Sequence, residues 1–181
     1  MASYSQSHEL EDGGTLIQVY TGCGKGKTTA ALGLALRASG AGLKIYIAQF
    51  AKGKVCSELN ALKKIKNIKV RQFGSCRFIK KITPKDIELA KRGLEATKKA
   101  IRSKKFNVVI LDEINVALGL KLLELKEVLK VIKKTPQNLE LILTGRHAPA
   151  EILEIADLVS EIKEIKHYFQ KGIKGRRGIE F

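Results

Sequence analysis

Residues 21–29 read TGCGKGKTT, and the residues on either side of this stretch decide its structure. Residues 16–20 (LIQVY) have the pattern of a buried strand, and residues 30–36 (AALGLAL) predict a helix that is apolar nearly all round. A glycine-rich turn between a strand and a helix is the setting of a phosphate-binding loop, because glycines let backbone N–H groups converge on an anion at the helix N-terminus. We expect Lys27 to place a positive charge against phosphates and the Thr28 hydroxyl to bind magnesium.

The loop departs at one position from the usual pattern of Gly, four free positions and Gly-Lys-Ser/Thr, since Thr21 stands at the first position and Gly22 follows it. The core from Gly24 to Thr28 is intact, which favours a phosphate site over a glycine-rich turn with a stray lysine. The dinucleotide fingerprint fails, because Lys27 occupies its last glycine position. The predicted phosphate-binding residues are Gly22, Cys23, Gly24, Lys25, Gly26, Lys27, Thr28 and Thr29, of which Cys23 and Lys25 contribute only backbone donors and charge.

Composition indicates one folded domain. The chain has 181 residues with 44% hydrophobic content, and no apolar run approaches the roughly 20 residues of a membrane span. Residues 1–14 are polar and lack the apolar segment of a signal peptide, so we expect a flexible arm there, a domain over residues 15–181 and a cytoplasmic protein. The three cysteines form no C-x-x-C pair, which argues against a zinc ribbon or a disulfide scaffold.

The net charge of +16 comes from 34 basic and 18 acidic residues. Such a surface attracts polyanions non-specifically, which would suit a nucleic-acid-binding protein. The charge is spread along the chain and is not concentrated in one arm or helix, so we favour a lysine-rich solvated surface around an anion-binding enzyme.

Residues 106–113 (FNVVILDE) are the second informative stretch. An apolar strand that ends in Asp-Glu is the Walker B pattern, and a carboxylate at that strand end lies beside the phosphate loop. We expect Asp112 to hold magnesium, and Glu113 to be a second magnesium partner or a base that positions water. Acid pairs also commonly start turns, but the phosphate loop upstream favours the functional interpretation.

Strands and helices alternate along the rest of the chain. Further strands are predicted at residues 44–50, 68–73, 139–144 and 158–162, and helices at 57–62, 84–103, 114–120, 125–134 and 149–156. With the phosphate loop, this alternation predicts an α/β chain with the single-domain P-loop NTPase (RecA-like) fold. In that fold a mostly parallel sheet has helices on both faces.

An ordered set of short patterns matches one family. These patterns are GCGKGKTTAA at 22–31, Gln49-Phe50, Lys52-Gly53, ILDEIN at 110–115, LTGR at 143–146, Ala148-Pro149, ADLV at 156–159, Lys166-His167 and Gly178-Ile179. By them the chain resembles the P-loop ATP:corrinoid adenosyltransferases, the cob(I)alamin adenosyltransferases, over about residues 15–181, and a displaced first glycine is usual in that family.

The resemblance implies transfer of the 5′-deoxyadenosyl group of ATP to the Co(I) of a corrinoid, with the whole triphosphate leaving. ATP is then a co-substrate, the corrinoid a substrate, and the metal is Mg²⁺, with Mn²⁺ as an alternative. The catalytic residues would be Lys27, Thr28, Asp112, Glu113 and Arg146, with Thr28, Asp112 and Glu113 at the metal. The resemblance favours triphosphate contact for Arg146 over a plain surface position. The resemblance also implies that His167 contacts the corrinoid or the nucleotide. The alternative is that His167 simply packs in the tail.

One loop departs from the family. Some members place Phe and Trp below the corrin, where they exclude the lower ligand of cobalt, and this chain has no Trp. Phe78 with Ile79 is the substitute that we predict, the alternative being that Phe78 is ordinary core. Cys76 is interpreted as a bystander thiol, not as a cobalt ligand.

Three alternative functions stay open from the sequence: a RecA-like, nucleic-acid-stimulated ATPase, a nucleoside kinase of the thymidine-kinase type, and a non-enzymatic nucleotide-binding regulator. The missing paired-cysteine zinc motif weakens the kinase. The leading interpretation implies a homodimer and allows an electron-donor protein such as a flavodoxin as a partner. It requires no specific nucleic acid and no membrane.

Overall fold

Six strands form one sheet in the part of the chain that the computed structural model describes, residues 15–53, 56–75 and 81–180. The strand order is β3-β2-β4-β5-β1-β6, and every neighbouring pair is parallel. The predicted α/β fold with a parallel sheet is therefore confirmed. The strands are β1 Leu16–Thr21, β2 Ile45–Phe50, β3 Ile68–Phe73, β4 Val108–Asp112, β5 Glu140–Thr144 and β6 Leu158–Glu161.

Helices cover both faces of this sheet, as the alternation of elements predicts. On one face of β4, Val109 and Leu111 belong to a buried cluster that includes residues of α3–α6. On the other face, Val108 and Ile110 belong to a second buried cluster, which includes residues of α1 and α2. The helices are α1 Lys27–Gly40, α2 Ser57–Leu62, α3 Pro84–Arg102, α4 Ile114–Gly119, α5 Leu125–Lys133 and α6 Ala150–Glu154, and a short 3₁₀ helix spans Tyr168–Lys171.

Helix α1 forms where the sequence predicts a helix, but its apolar residues are not equally buried. Its apolar residues surround the axis, but only one narrow strip is buried against the sheet, made by Ala31, Ala35 and Ala38. Small side chains let a helix approach its neighbours closely. The larger Leu36 stays on the outer side, where 59% of it is exposed. One side of α1 is thus left apolar and open beside the phosphate loop.

Two aromatic side chains near the end of the sheet belong to the core. Phe50 and Phe73 are 0% and 6% exposed, and their ring centroids are 6.2 Å apart. Both pack against Gly93 of α3, where an added Cβ would lie 2.8 Å from each ring. Their burial identifies them as structural residues.

Several sequence predictions fall outside the described residues: the polar arm at residues 1–14, the bystander thiol of Cys76, and the aromatic-aliphatic pair Phe78 and Ile79. Within the described ranges, no helix combines the length and the apolar character that crossing a bilayer requires.

Candidate active site

The phosphate loop lies between β1 and α1 and is shaped by glycines. Gly22 and Gly26 have φ angles of 94° and 125°, a region that side chains other than glycine rarely adopt. The backbone N–H of Gly24 donates to the carbonyl of Ile162 over 2.8 Å. An added Cβ at Gly24 would lie 2.7 Å from the carbonyl oxygen of Lys163. The backbone conformation therefore requires glycine at positions 22 and 26, and the contact with the chain that follows β6 requires glycine at position 24.

Lys27 begins α1, and its side chain turns back across the loop. Its Nζ donates to the carbonyl oxygens of Gly22 and Gly24, each at 2.7 Å. The residue is 6% exposed, and burial lowers the pKa of its ammonium group. The Lys27 ammonium group therefore lies against the backbone of the loop, where it would contact a phosphate bound there.

Asp112, the last residue of β4, accepts hydrogen bonds from four described side chains. Its Oδ1 accepts from the hydroxyls of Thr28 at 2.9 Å and Thr144 at 2.8 Å. Its Oδ2 accepts from Gln49 Nε2 at 3.2 Å and Lys52 Nζ at 2.8 Å. Only 1% of Asp112 is exposed. The Walker B carboxylate is therefore joined directly to the phosphate loop, through Thr28.

The sheet order explains this convergence. Strand β4 lies between β2 and β5, and Gln49 stands opposite Asp112 in the register of β2 and β4. Thr144 ends β5, and the carboxyl ends of parallel strands meet at one edge of a sheet. Sequence reasoning gave no site role to Gln49, Lys52 or Thr144. The available signal was a polar residue near the end of each otherwise apolar, buried strand.

Lys52 follows β2 and pairs with Asp112. Burial lowers the pKa of the Lys52 ammonium, but the charge and hydrogen bond of Asp112 outweigh it, so the pKa is raised overall. The Nζ atom also donates to the Thr28 hydroxyl at 2.9 Å. A cation is therefore already accommodated between the oxygens of Thr28 and Asp112.

Glu113 lies beyond β4 at a sharp change of direction. Its φ angle is 61°, in the left-handed region, and its N–H donates to the Thr144 hydroxyl at 2.9 Å. The strand ends at this turn, and Glu113 lines the cavity into which the phosphate loop opens. Burial and the neighbouring Asp112 raise the pKa of the Glu113 carboxyl, although the positive charges of Lys52 and others oppose them.

The phosphate loop opens into a cavity of about 750 Å³. Arg146 and His167 both line it, so the structure brings these two predicted residues to the same cavity as the loop. Arg146 is exposed, and the Nδ1 of His167 accepts from the N–H of Phe169 at 3.0 Å. The other walls include Leu32 and Leu36 of α1, Leu62 of α2, Ile65 beyond that helix, Lys52 and the segment Gly178–Glu180.

The C-terminal tail lies against the phosphate loop. Lys25 Nζ donates to the Tyr168 hydroxyl at 2.8 Å and to Glu180 at 2.9 Å, and Tyr168 donates to Glu180 in turn. Hydrogen bonds from Tyr168, Lys25 and Arg176 hold the pKa of Glu180 well below its usual range. The sequence of the tail is basic and glycine-rich, and nothing in that pattern indicates that Glu180 contacts the loop.

The oxygen atoms of this site suit a hard divalent cation. Among the described residues, no group of three or more His, Cys, Asp or Glu side chains converges. Magnesium commonly takes one or two carboxylates and completes its shell with phosphates and water. Thr28 and Asp112 lie within hydrogen-bond distance of each other and the Lys52 ammonium fits between them, while Glu113 lines the cavity; their joint role at a metal stays a prediction.

Comparison with known proteins identifies the family. The family described as ATP:corrinoid adenosyltransferase BtuR/CobO/CobP matches residues 14–181. The chain belongs to this family. It is 35% identical over 177 residues to a corrinoid adenosyltransferase of Sinorhizobium sp, which covers 92% of this chain and 80% of that protein. It is 32% identical over 174 residues to the corrinoid adenosyltransferase of Escherichia coli K12, covering 96% of this chain and 89% of that protein.

A solved structure supports the fold of this adenosyltransferase. A KaiC-like protein of Pyrococcus horikoshii OT3 superposes with a TM-score of 0.53 at 18% identity, over 85% of this chain and 75% of that one. At this identity the likeness bears on the fold alone. The predicted family, P-loop NTPase fold, enzyme class and adenosyl transfer from ATP to a corrinoid are confirmed. The roles of individual site residues stay predictions.

Proposed function

We propose that this adenosyltransferase uses its phosphate loop to hold the triphosphate of ATP as a leaving group while the 5′-deoxyadenosyl group passes to Co(I) of a corrinoid. The observation that supports this most is the 2.9 Å hydrogen bond from Thr28 to Asp112. It joins the phosphate loop to the Walker B strand at the wall of a cavity of about 750 Å³. Triphosphate and metal would then share one polar end of that cavity.

The proposed reaction is a displacement at the ribose C5′ carbon. The bond that forms joins cobalt to C5′, and the electron pair comes from Co(I). The bond that breaks joins C5′ to the triphosphate oxygen, and its electron pair leaves on the triphosphate. Because the nucleophile belongs to the substrate, the protein supplies position and charge stabilisation and no nucleophile of its own.

Lys27 and the backbone N–H groups of the loop, other than that of Gly24, which donates to Ile162, would stabilise the negative charge that grows on the departing triphosphate. Fixed donors in a partly dry site are already oriented, so they need no reorganisation as that charge develops. Lys27 is 6% exposed and held by carbonyl oxygens of the loop. Arg146, on the cavity wall, would add a second positive charge.

Thr28, Asp112 and Glu113 would hold Mg²⁺ in the loaded enzyme. The ion neutralises triphosphate charge when bound. Mn²⁺ prefers the same oxygen ligands and would substitute for it. His167 is proposed to contact the nucleotide or the corrinoid from the cavity wall. A homodimer and an electron-donor protein such as a flavodoxin are further proposals, which rest on the resemblance.

Product analysis with Lys27→Ala tests this function. Wild-type protein, ATP and Co(I) corrinoid should yield triphosphate and an adenosylated corrinoid. Loss of Lys27 should slow transfer by about 100-fold or more, the typical effect of removing one charge-stabilising donor. Lys98→Ala is the matched control, because Lys98 pairs with Glu95 on the surface of α3. Near-normal transfer by Lys27→Ala would remove that residue from the mechanism.

The same assay tests the second candidate, a nucleic-acid-stimulated ATPase, which the net charge of +16 motivates. A DNA or RNA oligonucleotide should leave turnover unchanged, and any binding should weaken steeply with salt. Formation of ADP and phosphate that rises on adding the oligonucleotide would instead support the ATPase.

A further inference from the structure

The ammonium group of Lys52 occupies the cation position of the site. Its Nζ lies 2.8 Å from Asp112 Oδ2 and 2.9 Å from Thr28 Oγ1. These are two of the oxygens that the proposed function assigns to Mg²⁺. The Lys52 side chain is 23% exposed and the Asp112 side chain 1% exposed, so the pair is shielded from water on the Asp112 side.

The hydrogen bonds leave little room for a second cation. Thr28 donates its proton to Asp112 Oδ1, which also accepts from Thr144, and its own oxygen accepts from Lys52. Asp112 Oδ2 accepts from Gln49 and Lys52. A divalent ion that approached these oxygens would use the electron pairs that Lys52 now uses. It would also be repelled by the ammonium at short range.

Close packing holds the backbone at Lys52, whereas its side chain is long and has several rotatable bonds. A Cβ added at Gly74 would lie 2.4 Å from the backbone N of Lys52, and one at Gly53 would lie 2.3 Å from the backbone of Ser75. The two loops are therefore pressed together at this point. Lys52 lines the cavity together with the phosphate loop, and its four-carbon stem has several rotatable bonds.

We propose that Lys52 is a positioning residue with two alternating partners. In nucleotide-free protein it holds the cation position between Thr28 and Asp112. When Mg²⁺ enters with ATP, the ammonium leaves that position and binds the triphosphate. The proposal deepens the proposed function and rests on it for the identity of the metal and the triphosphate. It means that the site disfavours a metal ion alone and favours the metal and the triphosphate together.

Binding of Mn²⁺ to nucleotide-free protein, followed by electron paramagnetic resonance, tests the first half. Lys52→Met should bind Mn²⁺ more tightly than wild type, by a factor of about 5–150, the range common for coupled sites. Lys130→Met is the matched control, because its lysine pairs with Glu127 on the exposed side of α5. Equal or weaker Mn²⁺ binding by Lys52→Met would overturn the proposal, since a merely structural Lys52 gives that result.

Calorimetric titration with inorganic tripolyphosphate tests the second half. With Mg²⁺ present, Lys52→Met should bind tripolyphosphate about tenfold more weakly than wild type, and the loss should be smaller without metal. Unchanged affinity with Mg²⁺ would overturn the transfer to triphosphate. Lys52→Gln keeps a donor for Asp112 without the charge, so it serves in both titrations if the methionine variant does not fold.

Both titrations are independent of the corrinoid reaction. If wild-type protein releases ADP instead of triphosphate, the proposed function fails, yet the opposite changes in metal and tripolyphosphate affinity still report on Lys52. If adenosyl transfer is normal and those two changes are absent, the inference about Lys52 fails alone.

Discussion

Asp112→Asn should destabilise the nucleotide-free protein strongly, because every partner of this carboxylate donates to it. Among the described residues, its partners are the hydroxyls of Thr28 and Thr144, the Gln49 amide and the Lys52 ammonium. An asparagine amide replaces one acceptor oxygen with an NH₂ donor. The NH₂ can face the two threonines, whose hydroxyls rotate to accept, but Lys52 then loses its negative partner.

The size of this effect follows from the burial of the pair. Removing one partner of a buried ion pair costs about 3–5 kcal/mol, because the other charge stays behind without compensation. The side chain of Lys52 is 23% exposed, so water solvates part of the remaining charge. We therefore expect a loss of about 3 kcal/mol, a large share of the roughly 5–15 kcal/mol that stabilises a typical domain.

Urea unfolding in the presence of EDTA and without nucleotide measures this free energy without a metal contribution. The matched control is Asp157→Asn, an exposed carboxylate that accepts from the N–H of Ile17 at 2.7 Å, for which we expect a loss of about 1 kcal/mol. Adding Lys52→Met to Asp112→Asn should restore part of the stability, because the unpaired charge is then absent. If Asp112→Asn unfolds within about 1 kcal/mol of wild type, the burial argument is refuted.

Three further predictions address the loop, the tail and the corrinoid. Gly24→Ala should lower the free energy of unfolding by about 1–3 kcal/mol and weaken ATP binding, because its Cβ would lie 2.7 Å from a backbone carbonyl oxygen. The control is Gly40→Ala, whose Cβ would have nothing within 4 Å and which should stabilise α1 by up to about 1 kcal/mol. Equal unfolding midpoints for the two variants would contradict this. Glu180→Gln should speed tryptic cleavage within residues 171–177, because it weakens the contact of Glu180 with Lys25 of the loop and its contact with Arg176 within the tail. Because the pKa of Glu180 lies well below the ordinary carboxyl range, its carboxylate stays ionised at neutral pH and these contacts are lost only in acid. The rate of wild-type cleavage, relative to that of an unstructured substrate, should therefore not vary between about pH 6 and about pH 8. Phe78→Ala should reduce transfer from Co(II) under mild reduction far more than transfer from prepared Co(I), and equal losses in the two assays would indicate a general binding or folding defect.

Local sequence was sufficient for the elements that carry their own signals. The glycine spacing of residues 22–26 and the Asp-Glu pair after an apolar run predicted the turn and the strand end that the structure has. The helix predicted from residue 84 likewise begins there as α3, where Thr83 and Asp86 form a reciprocal cap. In each case the deciding interactions lie within a few residues of one another.

Long-range pairings were beyond the reach of such patterns. Nothing in the composition of β2 or β5 says that both flank β4, so the contacts of Gln49 and Thr144 with Asp112 could not be deduced. The sequence predicts helix α1 but not which of its apolar residues are buried, for a related reason. Its alanines and leucines are equally apolar by pattern, and only the close approach to the sheet decides that Ala35 is buried and Leu36 exposed.

The position of β1 in the sheet has a consequence for synthesis on the ribosome. Strand β1 is made first and carries the phosphate loop, yet its two neighbours, β5 and β6, are the last strands to be made. A nascent chain that has reached residue 139 therefore holds the whole loop and no strand to pair with β1. Pairings this distant in sequence form late, because the loop-closure entropy must be paid first. Nucleotide should then bind a ribosome-bound chain only after residues up to Glu161 have emerged.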